Sequence, residues 1–150
     1  MKQYSSQEEL KSEMYNYMIA DNKLFDNCCK SLKFQSVVSE DPMFLKKGNE
    51  PKRYAFIGVG CGITWLKFPK LGKAAKMFED VYRSVLSDVR DWLLSKFTEE
   101  EKNYYISIGC PLTAIFYQDQ GIQIALYSRA AKFATDIIGI KNVSVESRLD

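Results

Sequence analysis

Residues 57–64, IGVGCGIT, align without a gap on residues 106–113, ISIGCPLT, and the fold turns on whether both are strands. Ile57, Gly60, Cys61 and Thr64 recur as Ile106, Gly109, Cys110 and Thr113. Side chains in a strand alternate between faces, and each copy splits cleanly by parity. Within Tyr54–Phe68 one face carries Ala55, Ile57, Val59, Cys61, Ile63 and Trp65. The other carries Gly58, Gly60 and Gly62 flanked by Tyr54, Phe56, Thr64, Leu66 and Phe68, a bare lane about 13 Å long at the usual rise per residue. Glycine weakens a strand interior unless something approaches closely or the strand bends, so this lane marks a place of close approach. In the second copy Tyr104, Ile106, Ile108, Cys110, Leu112, Ala114 and Phe116 share a face, which predicts a strand over Tyr104–Tyr117.

The glycines do not form a nucleotide loop. The dinucleotide fingerprint GxGxxG requires a third glycine where Ile63 stands, and no Gly-Lys-Ser/Thr closes a P-loop. The stretch resembles the first motif of S-adenosylmethionine-dependent methyltransferases, but the carboxylate expected two residues before GCG is replaced by Gly58. Both cofactor families also need a helix at once, whereas Ile63-Thr64-Trp65 favours a strand and Pro69 follows.

Outward from these strands, Ser6-Gln-Glu-Glu9 has the form of a capping box, and Leu10, Met14, Tyr17 and Met18 follow at helical spacing. Leu24, Phe25, Cys28, Cys29 and Leu32 continue the pattern, giving one bent helix or a helical hairpin to about residue 32, with a short strand at Phe34–Val38. Residues 39–52, SEDPMFLKKGNEPK, read as a long loop with an apolar island at Met43-Phe44-Leu45. After Gly72, the apolar residues Ala74, Phe78, Val81, Val85, Val89, Trp92 and Leu93 define a central helix to about Phe97, whose other face carries Lys73, Lys76, Glu79, Arg83, Ser87 and Asp91. Residues 98–103 read as a polar connector, Gln118–Gly121 as a hairpin turn and Ile122–Tyr127 as its second strand. A short helix capped by Ser128 and closed by Gly139, then a last strand over Ile140–Glu146, complete the chain. The expected fold is a single α+β domain over residues 1–150, with a largely antiparallel four- to five-stranded sheet packed against the long central helix.

With 150 residues and 46% apolar side chains, the chain has material for one core without disulfides or a structural metal. The net charge of +2 gives no long-range field of the kind that marks generic nucleic-acid or membrane binding. A chain that opens on KQYSSQEEL and has no run of 18 apolar residues reads as soluble and cytoplasmic, with no membrane partner. Cys28, Cys29, Cys61 and Cys110 lack the spacing of a metal site and read as free thiols. The chain has no histidine, which removes the usual general base and the usual partner of a Ser or Cys nucleophile. No catalytic residue, metal ligand or cofactor is therefore assigned.

Lys70, Lys73 and Lys76 cluster at the start of the central helix, and Arg129 and Lys132 at the expected start of the C-terminal helix. Basic side chains beside free backbone N–H groups can grip a phosphate. The candidate ligand-binding residues are these five with Gly58, Gly60 and Gly62. The function they imply is a non-enzymatic binding or regulatory module for a nucleotide, nucleic acid or other phosphate-bearing ligand. The alternative is a protein-interaction or homo-oligomeric scaffold that uses residues 39–52 and an open sheet edge.

Overall fold

The computed structural model describes residues 1–30, 62–109 and 111–149. Gly58, Gly60, Cys61 and Cys110 lie outside the described residues, as do the expected strand at 34–38 and the loop at 39–52. Helix α1 spans Gln7–Ile19, and residues 24–30 form a further helical stretch. Strand β1 (Gly62–Lys67) leads to α2 (Lys73–Leu94), α3 (Glu99–Ser107), α4 (Leu112–Gln118) and α5 (Gln120–Lys132). A π-helical turn at Phe133–Ile138 extends α5, and β2 (Ser144–Leu149) ends the described chain.

The expected four- to five-stranded sheet is contradicted: the described residues are mostly helical, and their sheet has two strands, β1 antiparallel to β2. Gly62 pairs with Leu149 and Lys67 with Ser144 at the two ends of the register. The copy at 106–113 is not a strand. Thr98 accepts from the Glu101 N–H at 3.1 Å while the Glu101 carboxylate accepts from the Thr98 N–H at 2.9 Å, so a full capping box starts α3 inside the supposed connector. Glu99, Glu100 and Glu101 sit in its first turn, where carboxylates suit the helix dipole. Gly109, at φ 75°, ends that helix, and Pro111 precedes α4. Local capping thus overrides the strand preference of the Tyr and Ile residues.

The supposed hairpin of residues 104–127 is likewise helical. Asp119 leaves helical geometry at ψ 121° and caps α5, its carboxylate accepting from the Ile122 N–H at 2.8 Å. Leu112, Phe116, Asp119, Gln123, Leu126 and Ala130 are all buried at helical spacing, so one stripe runs through both helices despite the break.

The expected α1, α2 and closing glycine are present. Ser6 caps α1 by accepting from the Glu9 N–H at 3.2 Å. Gly139, at φ 90°, closes the π-helical turn, and its N–H donates to the Ala134 carbonyl at 3.0 Å. Helix α2 packs chiefly on α1 rather than on the sheet, and the sheet rests on α5. Stacked Phe78 and Tyr82, with Phe68 and Phe133 around them, fill the core beneath β1. No helix among the described residues is long and apolar enough to cross a membrane.

Candidate functional site

The basic residues singled out in the sequence do not converge. Lys73 and Lys76 are exposed in the first turn of α2, whose cap Gly72 offers no side-chain bond and whose first turn has no carboxylate. They border a groove of 410 Å³ shared with Gln7 and Asp80, so a carboxylate already faces the same space. Lys70 lies with its Nζ 5.2 Å from the centre of the Phe68 ring. Arg129 and Lys132 occupy the last turn of α5, not a helix start, because the helix begins nine residues before Arg129, at Gln120. There they suit the dipole. Arg129 ties α5 to α1: its Nη2 donates to the Tyr17 carbonyl at 2.9 Å, its guanidinium covers the Tyr17 ring at 3.7 Å, and Asp21 lies 3.9 Å away.

Of the glycine lane only Gly62 is described. A Cβ there would lie 2.9 Å from the Arg148 carbonyl oxygen and 3.2 Å from Gln120 Cγ. At this position the close approach is made by the protein's own second strand and α5.

The chemistry gathers instead where β1 meets α2 and the α4–α5 junction. A cleft of 380 Å³ opens there, within the size range of small-molecule sites, bordered by Thr64, Arg83, Ser87, Arg90, Tyr117 and Gln123. Arg83, Ser87 and Arg90 come from one face of α2 at i, i+4 and i+7. Arg90 is only 6% exposed. Its Nε donates to the Phe116 carbonyl at 3.1 Å and its Nη2 to Gln123 Oε1, while Gln123 Nε2 donates to the same carbonyl. The break at Asp119 explains the demand: the Phe116 carbonyl at the end of α4 takes side-chain donors where the helix stops. The guanidinium also lies 4.5 Å from the centre of the Tyr117 ring, and Tyr117 Oη is 2.9 Å from Ser87 Oγ.

Two polar features of this cleft remain unbalanced. Among the described residues no carboxylate lies within ion-pair distance of Arg90, although the buried Asp119 carboxylate shares its neighbourhood, both acting on the Cys28 thiol. Thr64, 9% exposed, buries its Oγ1 with no hydrogen-bond partner. A buried hydroxyl and a buried cation that lack a hydrogen-bond partner and an ion-pair partner among the described residues are both costly, and an anion would satisfy both. Arg83 stands at the rim, its side chain 60% exposed and its Nη1 3.9 Å from Glu79 Oε1.

Sequence reasoning placed Arg83 and Ser87 on the polar face of α2 but passed over Arg90. A signal was present. Tyr82, Leu86, Arg90 and Leu93 follow one another on the buried side, so Arg90 is a cation at a core position.

Burial pushes the Cys28 thiol up to about 12, with Cys29 and Asp119 adding to the shift and Arg90 opposing it. No group of His, Cys, Asp and Glu among the described residues is arranged to hold a metal ion.

No protein family matches the chain, and no curated protein or solved structure shows significant similarity to it.

Proposed function

We propose that the chain is a non-enzymatic binding module that takes an anionic, phosphate-bearing ligand in the cleft at Arg90. The observation that carries this reading is the buried Arg90 guanidinium, which has no ion pair among the described residues, beside the Thr64 hydroxyl, which has no hydrogen-bond partner among them. An oxyanion at that place would accept from Thr64 Oγ1 and offset the charge of Arg90, and the hydrogen-bonded pair of Ser87 and Tyr117 keeps one further hydroxyl proton to donate. The absence of histidine from the sequence removes the usual base near neutral pH, and burial raises the Cys28 thiol, both of which favour binding over catalysis.

Isothermal titration with inorganic phosphate at low salt tests the proposal. Saturable binding is expected, weakened about tenfold by Thr64→Val, the loss of one hydrogen bond to a charged ligand. Absence of binding, or binding that Thr64→Val leaves intact, ends it.

The scaffold reading rests on a different surface. Leu71 and Met1 are 75% and 57% exposed, and they border a 350 Å³ hollow with Pro69 and Ile140. Sedimentation decides it: a dimer that Leu71→Asp dissociates supports the scaffold, and a monomer at all concentrations removes it.

A further inference from the structure

The cleft holds two cations rather than one, at different depths. Arg90 is buried at its floor and Arg83 exposed at its rim. Their Cα atoms are seven residues apart on α2, about 10 Å along the axis. Ser87 stands between them with its hydroxyl against Tyr117 Oη. A single small oxyanion seated on Arg90 and Thr64 leaves the rim unused. Arg83 is paired with Glu79 at 3.9 Å and covers the Tyr82 ring at 4.7 Å, and solvent at the 60% exposed arginine weakens the ion pair.

Resting on the reading above, we propose that the ligand carries at least two anionic groups along its length, the inner one on Arg90 and Thr64 and the outer one on Arg83. The class is an elongated polyanion such as a phosphoanhydride chain, not a lone phosphate or monocarboxylate. The seat at Arg90 is pre-formed, because its guanidinium is already held by the Phe116 carbonyl and Gln123. The rim seat forms on binding, when Arg83 leaves Glu79. Affinity should therefore rise with chain length until the outer group reaches Arg83 and then level off.

The test is calorimetric titration of the full chain with phosphate, pyrophosphate and tripolyphosphate at about 0.15 M salt, where distant charges are screened. Wild type should bind tripolyphosphate at least tenfold more tightly than phosphate. Arg83→Gln should reduce that ratio to about twofold, the statistical advantage of a ligand with two ends. Lys102→Gln, an equal charge change on α3, should leave the ratio unchanged. Phosphate binding that depends on Thr64 but shows no gain with chain length, or a gain that Arg83→Gln preserves, overturns the two-anion inference while leaving the site in place. If none of the three anions binds, the site itself falls.

Discussion

Helix α2 presents two groups of cations, and they differ in everything except charge. Lys73 and Lys76 stand in solvent at its first turn, opposed to the helix dipole and accompanied by Asp80. Arg83 and Arg90 lie further along the same helix, one at the rim and one on the floor of a cleft, with Thr64 and Tyr117 around them. Solvated lysines have no need of a ligand, since water already satisfies them. A buried guanidinium whose partners among the described residues are a carbonyl, an amide and a ring face, with no direct ion pair, is a different case. Burial, rather than the density of basic residues, separates a candidate site from a charged surface.

The sharpest break of this comparison is to remove cations from each group in turn. Arg90→Met strands Gln123 Oε1 and weakens the end of α4, so chemical denaturation should show a loss of about 2 to 3 kcal/mol. Asp119→Ala removes the cap that creates the break Arg90 serves, and should cost about 1 to 2 kcal/mol in the same measurement.

Lys73→Glu with Lys76→Glu should instead stabilise by about 0.5 kcal/mol per residue, because carboxylates suit a helix start. It should leave phosphate affinity almost unchanged. Thr64→Val is the smallest expected change: stability without ligand should stay within about 0.5 kcal/mol of wild type or rise, since the hydroxyl it removes has no partner.

Alkaline pH probes the buried side of the same region. The Cys28 thiol is held protonated in the fold well above its ordinary value of 9. The unfolded chain therefore loses that proton first, and stability falls as pH rises from about 9 toward 12. Urea titrations across that range should show the decline, and Cys28→Ala should make it shallower, the remainder coming from Tyr4, Tyr17 and Tyr82, whose phenols burial also raises.

The parts of the fold that were legible in the sequence have local, chemically explicit signals. Ser6 with Glu9, the apolar stripe of α2 and Gly139 each stand where the pattern placed them. Residues 104–127 misled for two physical reasons. Tyr, Ile and Phe fit strand parity, while the helical stripe that competes with it contains Asp119 and Gln123, polar residues that do not read as core until their capping and hydrogen-bonding roles are known. The capping box Thr98-x-x-Glu101 was written in the sequence and outweighs that parity. Where both copies are described the echo is not one of structure: Ile63 and Thr64 are in β1, and their counterparts Leu112 and Thr113 open α4.

The site was legible only in part, since Arg83 and Ser87 belong to a surface the sequence defines. The environment of Arg90 depends on Phe116 and Gln123, distant in sequence and brought to it only by the fold. Gly62 shows the converse, a residue whose chemical interest lay in the sequence and whose close neighbours prove to be Gln120 and Arg148.

The most direct test of the account is the arginine side-chain NMR spectrum during a phosphate titration. The Arg90 Nε–H, held by the Phe116 carbonyl, should give a slowly exchanging resonance that shifts saturably, while the lysine ammonium groups of α2 follow bulk ionic strength. An Arg90 resonance that stays fixed while Lys73 and Lys76 titrate would contradict it and return the site to the helix start.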